Sequence, residues 1–205
     1  MDILAAVERQ LISVWNQPDA RAAVTFVGAQ PVEILRFGPA ADAVVRYATV
    51  GMSAHPMVDP ADTAPDPVRG PRAELLLSMR VRGTAAGLDT VARRLAVLAM
   101  TPFVEGVVIR PGTSLDLAEP LWDDAAFTAV LIGSGGGLIP DLVLEPPAEA
   151  VQFLPVLPMT PTEAAWKRVH GAAALEQRWL DHGIDLRDPK RRAVPLGGAH
   201  GSVPP

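Results

Sequence analysis

The sequence predicts an α+β domain in which a mixed, largely antiparallel sheet packs with three main helices. Strand-like runs rich in β-branched residues follow one another. The apolar period switches from two to about 3.6 and back along the chain. No regular strand–helix–strand alternation appears, which argues against a parallel doubly wound sheet.

Asp2 can cap a first helix, in which Ile3, Val7, Leu11 and Val14 form one apolar stripe, and Asn16-Gln17-Pro18 ends it. Three short runs then read as consecutive antiparallel strands, at 22–27, 32–37 and 43–50, parted by Gly28-Ala29-Gln30-Pro31 and Gly38-Pro39. Residues 52–71 contain Pro56, Pro60, Pro65, Pro67 and Pro71, each lacking a backbone donor, so a long surface loop is expected there. Residues 72–80 resume a strand, with Ala73, Leu75, Leu77 and Met79 on one face and Glu74, Leu76, Ser78 and Arg80 on the other. Leu88, Val91, Leu95 and Leu98 then mark a second helix that Pro102 is expected to end.

Further strands are expected at 107–109, 113–117, 127–133, 138–145 and 151–157, broken by Gly or Pro. Thr160-Pro161-Thr162-Glu163 starts the last helix as a capping box with proline in its first turn. Ala165, Val169, Ala172, Leu175 and Trp179 give that helix its expected buried stripe. Beyond residue 186 the pattern is lost, and 187–205 reads as a flexible basic tail rich in Gly and Pro, following a folded body at 1–186.

At 205 residues and 49% apolar composition the chain can bury one sizeable core. Eighteen basic against 23 acidic residues give −5; because the tail carries +3, the body carries −8. That sign is wrong for a protein held by phosphate contacts, so nucleic acid is not expected as a partner. No cysteine is present, which excludes disulfides, thiolate metal sites and cysteine nucleophiles. The start Met1-Asp2-Ile3 lacks a basic leader, and no apolar run approaches the ~20 residues a bilayer needs. A soluble, cytoplasmic protein without a membrane partner is the expectation.

The motifs that suggest chemistry fail on inspection. Gly133-Ser134-Gly135-Gly136-Gly137 resembles a phosphate loop, but Leu138 stands where a dinucleotide fingerprint needs glycine, and Pro140 pre-empts the following helix. Ser53, His55 and Asp59 are the residue types of a hydrolase triad, crowded into one loop without a nucleophile elbow. His170, His182 and His200 are dispersed, and His170 and His182 read as surface or cap residues of the last helix. Asp59, Asp62 and Asp66 lack the glycine turn and closing glutamate of a calcium loop. No catalytic residue, metal or cofactor is therefore predicted. Asp116, Glu119, Asp123 and Asp124 surround Trp122, and read either as a solvated turn or as an acidic docking edge with an aromatic anchor.

An ordered series of segments carries more information than any of these motifs. Tyr47-Ala48-Thr49-Val50-Gly51-Met52-Ser53 is followed by Ala73-Glu74-Leu75-Leu76-Leu77 and Leu95-Ala96-Val97-Leu98-Ala99. Then come Val151-Gln152-Phe153-Leu154-Pro155-Val156-Leu157-Pro158, Thr162-Glu163-Ala164 and Gly171-Ala172-Ala173-Ala174-Leu175. In order and spacing this series resembles the Suppressor of fused domain family over most of residues 25–182. The resemblance implies a non-enzymatic protein-binding domain. In animals such domains form the N-terminal half of a two-domain protein that clamps a short peptide of Gli-type transcription factors as an added strand; small bacterial members act in part as immunity proteins against polymorphic toxins. The family's gripping tyrosine falls at Leu98 and its gripping aspartate at Thr113, so both polar groups are replaced here.

The reading that follows is a binding module, antitoxin-like, with a protein partner such as a toxin domain or a peptide strand. Its binding residues are Asp116, Glu119, Trp122, Asp123, Asp124, Leu98 and Thr113. Two alternatives stay open: a small-molecule enzyme or ligand binder using loop 52–71 as a lid, and a regulatory subunit contacting acidic surfaces through its tail. The sequence leaves self-association undetermined.

Overall fold

A computed structural model of the chain describes residues 2–26, 30–59, 61, 63–64, 66–81, 88–135 and 137–197. Helix α1 (Ile3–Trp15) is followed by strands β1 (Ala20–Val24), β2 (Val32–Phe37), β3 (Val44–Val50) and β4 (Arg72–Arg80). Helix α2 (Leu88–Glu105) leads to β5 (Ser114–Asp116), β6 (Ala129–Ile132) and β7 (Val151–Met159), then to α3 (Pro161–His170) and α4 (Ala172–Asp181). The strands form one seven-stranded sheet in the order β1-β2-β3-β4-β7-β6-β5. Every pairing is antiparallel except β4 with β7, so the sheet is mixed and largely antiparallel.

Alternation along the strands sorts the core into layers. Ile34, Tyr47, Leu75, Leu77, Val130 and Ile132 pack with Val91, Leu95 and Leu98 of α2 on one face. On the other face, Leu35, Phe37, Ala48 and Leu76 meet Val7 and Leu11 of α1. At the β6–β7 end of that face, Ala129, Leu131 and Met159 meet Leu175 and Trp179 of α4. Asp2 caps α1 by accepting from the Ala5 amide at 3.2 Å.

Several expectations are corrected. Helix α2 runs through Pro102 and stops before Gly106, which takes φ 66. Proline there removes one donor in the last turn only, and glycine supplies the left-handed stop. The expected single last helix is two helices, because Gly171 sits at φ 90 and resets the phase. Leu175 and Trp179 are buried as expected, whereas Val169 is 78% exposed. Residues 107–109 form no strand, and 138–145 contributes a single bridge, Leu142 with Val151.

Loop 52–71 is less superficial than its prolines suggest. A 3₁₀ turn at Met52–Ala54 and the side chain of Met57 are buried in the core, and the Met57 amide donates to the Pro71 carbonyl at 2.8 Å.

The segment expected to be a flexible tail packs on the body as far as the description extends; 198–205 lie outside the described residues. The Arg80 amide donates to the Arg187 carbonyl at 2.7 Å, and Arg191 and Val194 are buried. The reason is Glu163, which completes the capping box with Thr160 and is itself fully buried. The Arg191 guanidinium donates to both its oxygens, at 2.8 and 2.9 Å, while Trp179 Nε1 and the Val194 amide each donate to Oε1 at 3.0 Å. Arg191 also lies over the rings of Phe127 and Trp179, at 4.8 and 5.6 Å from their centroids.

Burial alone would raise the Glu163 carboxyl, but the Arg191 fork and the three further donors outweigh it and hold it below the ordinary 4.5. Its contribution to stability is therefore fully present above that ordinary value and is lost as pH falls through the lower folded value. Arg191→Met strands a buried carboxylate, so urea unfolding is expected to show a loss of about 3–5 kcal/mol at pH 7. The gap to the parent protein should narrow as the pH is lowered toward 3. A gap below about 1 kcal/mol, or one independent of pH, would refute this account.

Candidate functional site

The last strand of the sheet, β5, has a partner on one side only. Its register with β6 pairs Ser114 with Leu131, Leu115 with Val130 and Asp116 with Ala129. The Ile132 amide donates to the Thr113 carbonyl and the Leu117 amide to the Thr128 carbonyl, both at 2.8 Å. By the alternation of an antiparallel ladder, the Thr113 carbonyl and the backbone groups of Leu115 and Leu117 turn toward β6, the Thr113 amide donates to the Arg110 carbonyl at 3.0 Å, and Ser114 and Asp116 turn their backbone groups to the open edge.

Two helices flank this edge. On the α2 side, Leu115 and Leu117 pack against the core, and together with Val97, Leu98 and Thr101 they line a groove of about 470 Å³. Leu98 is 2% exposed and forms floor, while Val97 remains 47% exposed on the wall. An ion pair between Arg94 and Glu119 spans α2 and the residues after β5, and Glu105 stands on the helix wall. On the α3 side, Lys167 Nζ donates to Ser114 Oγ at 3.0 Å, and Arg168 pairs with Asp116.

Of the residues expected to bind a partner, Leu98, Asp116 and Glu119 come together at this groove. Thr113 borders the strand, where its Oγ1 accepts from the Arg110 amide at 3.1 Å and closes a turn. Asp123 faces Thr90 Oγ1 at 3.4 Å, and Asp124 is an exposed turn residue at φ 59. Trp122 is not an exposed anchor. It is 9% exposed and packs on Phe127, centroids 5.3 Å apart, because the turn that joins β5 to β6 folds Leu121 and Trp122 inward between solvated acids.

Sequence reasoning missed Val97, Thr101, Glu105, Ser114, Lys167 and Arg168. No local sequence pattern marked them; Val97 is 47% exposed on the groove wall only because the fold leaves that face of α2 uncovered.

In the loop expected as a lid, Ser53, His55 and Asp59 have separate surroundings. Ser53 Oγ is buried and donates to Glu74 at 2.6 Å, His55 is exposed, and Asp59 accepts from the Ala61 amide at 2.9 Å. Asp66 accepts from the Val68 and Arg69 amides, and Asp62 lies outside the described residues. Among the described residues, no group of three His, Asp or Glu side chains is placed to hold a metal ion. In the glycine-rich loop, a Cβ on Gly135 would stand 3.0 Å from the Phe153 carbonyl, so close backbone packing accounts for that glycine; Gly136 lies outside the described residues. His170 stacks on Trp166 at 4.1 Å, and His182 lies 2.9 Å from the Arg178 carbonyl at the end of α4.

Glu74 is fully buried and forms no ion pair among the described residues. It accepts from Thr49 Oγ1, Ser53 Oγ and the amides of Gly51 and Ser53, at 2.5 to 3.0 Å. Desolvation pushes its carboxyl above the ordinary value, although the four donors oppose that shift.

Comparison with known proteins agrees with the fold. The sequence model of the family described as Suppressor of fused protein (SUFU) matches residues 28–192. No curated protein sequence matches significantly. Among solved structures, a Neisseria gonorrhoeae FA 1090 protein described as a SUFU homologue superposes with TM-score 0.69 at 18% identity, covering 97% of this chain and all of that one. A chain of the Sufu–Fu complex gives 0.65 at 12% identity, covering 93% and 91%. Drosophila Suppressor of Fused gives 0.63 at 10% identity, and the match spans 94% of this chain but 50% of that protein.

Glu74 anchors the turn that joins β3 to the loop, and its substitutions separate charge from hydrogen bonding. Glu74→Gln keeps an acceptor where three donors converge, so thermal or urea unfolding should show a change within about 1 kcal/mol at pH 7. Glu74→Leu leaves four donors unsatisfied and should cost several times more. Because the folded carboxyl titrates above the unfolded one, the parent loses stability as pH rises through that interval. Glu74→Gln should therefore compare better with the parent at pH 7 than at pH 4. Equal costs for the two variants would contradict the network.

Proposed function

This chain belongs to the Suppressor of fused family, and from that membership we propose that it is a non-enzymatic protein-binding module whose β5 edge accepts an extended partner segment as an added strand. The observation that carries the reading is the pair of outward backbone positions, Ser114 and Asp116, at the end of the sheet and between two helices. Edge pairing supplies main-chain hydrogen bonds common to any strand, and the groove walls supply selectivity. One structural relative was crystallised as a Sufu–Fu complex, which supports a protein as the partner class.

With Leu98 and Thr113 standing where the animal family has tyrosine and aspartate, the partner differs from a Gli-type peptide. We further propose that the partner is a toxin domain which this protein neutralises in the cytoplasm, as small bacterial family members do. The acidic balance of the chain, −5 in all, suits a toxin with a basic nucleic-acid groove, since opposite charges speed encounter. No helix among the described residues is long and apolar enough to cross a membrane.

The test uses a proline at an outward position. Ser114→Pro removes an edge donor without removing a rung of the β5–β6 ladder, so its melting temperature should stay within a few degrees of the parent. Binding to the product of the neighbouring gene, measured by calorimetry as a one-to-one complex, should weaken at least tenfold. Unchanged affinity in a folded Ser114→Pro protein would remove β5 as the docking edge. Absence of any complex with that product would remove the immunity reading alone.

A further inference from the structure

The β5 slot has two chemically different walls, and a strand placed in it must show one face to each. Toward α2 the surface is apolar, made by Val97, Leu98, Leu115 and Leu117. Its charges are the Arg94–Glu119 pair and Glu105, which has no partner among the described residues, so this wall is net negative by one. Toward α3 the surface is polar. Arg168 is neutralised by Asp116, but Lys167 touches only the Ser114 hydroxyl and has no carboxylate partner among the described residues, so this wall is net positive by one.

Resting on strand addition at β5, we propose that the slot selects a two-faced partner strand. Its alternate residues toward α2 are aliphatic with one basic residue, and the intervening residues toward α3 are acidic. Period-two geometry makes this a code, because no strand can satisfy the apolar wall and Lys167 with the same side chains. The code runs against the chain's overall charge. An acidic protein attracts basic segments at long range, whereas the α3 wall rejects them at contact. Lys167 thus acts as a repulsive element against partners that net charge alone would favour.

Two short extended peptides test it. Both carry Val, Leu and Lys at alternate positions; one has Glu at every intervening position and the other has Lys. Fluorescence anisotropy with the wild-type chain is expected to show the Glu-faced peptide binding at least tenfold tighter, despite the protein's negative charge. Lys167→Glu should reverse the order, and Lys167→Gln, which leaves the wall without charge and guards against misfolding of the first variant, should abolish the preference. Equal affinities, or a wild-type preference for the Lys-faced peptide, would overturn the code while leaving strand addition intact. If neither peptide binds and the amide resonances of Ser114 and Asp116 do not move, strand addition and the code fall together.

Discussion

The bidentate contact between Arg191 and Glu163 connects the C-terminal segment, two helices and the end of the sheet through one buried charge pair. Glu163 belongs to α3, Trp179 to α4, and Arg191 to a segment without regular structure; the Arg191 guanidinium also donates to the Pro158 carbonyl of β7 at 2.5 Å. Two charges taken out of water gain little net stability, even when well paired. What such a pair does contribute here is position. The hydrogen bonds of the Glu163 carboxylate and of the two Arg191 terminal nitrogens form only when α3 lies in one place along β7, and that placement sets Lys167 beside Ser114 and Arg168 beside Asp116. The α3 side of the β5 edge is thus positioned by an interaction at the opposite end of the helix.

An open sheet edge is a hazard as well as an opportunity, since unpaired backbone groups recruit any extended chain. The two edges of this sheet handle that hazard differently. At β1, the exposed Arg21 is tied to Glu8 and Glu33, placing charge across the strand. At β5 the strand is only three residues long, with the α2 groove on one side and Lys167 and Arg168 of α3 on the other. The strand addition proposed at β5 fits this difference, because β1 carries the charges that guard an edge and β5 is short.

Features written within a few residues of each other were legible in the sequence. The capping residues Asp2 and Thr160, the bounds of β2 and β4, and the separation of Leu75 and Leu76 onto opposite faces all follow from local pattern. What escaped depends on contacts distant in the chain. Arg191 reads as one basic residue in a polar tail until Glu163, 28 positions earlier, is brought against it. Pro102 is a helix breaker by local rule, yet it occupies a last turn whose end is fixed by Gly106. Trp122 carries acids on both sides in sequence, and only the fold shows that it turns inward while they do not. The slot was half legible for the same reason: Asp116 and Glu119 announced themselves by charge, whereas Lys167 and Arg168 arrive from a helix more than fifty residues away.

On the proposed strand addition, Leu98 and Thr113 in place of polar gripping groups would change how the slot holds its partner. A buried polar grip is specific because a mismatched ligand leaves it unsatisfied, at a cost of about 1–3 kcal/mol for each orphaned group. An apolar floor imposes no such penalty and accepts any aliphatic side chain of suitable volume. Affinity then grows with the area buried, while discrimination must come from elsewhere. The elements left to provide it are the ladder, which demands an extended backbone, and Glu105 and Lys167, which have no ion-pair partner among the described residues. Charges at a rim act mostly on encounter and on rejection of wrong partners, and buried apolar area acts mostly on residence time. On the proposed reading the slot separates these tasks between different residues, and the partner sequence is free to drift at its apolar positions so long as its two faces keep their character.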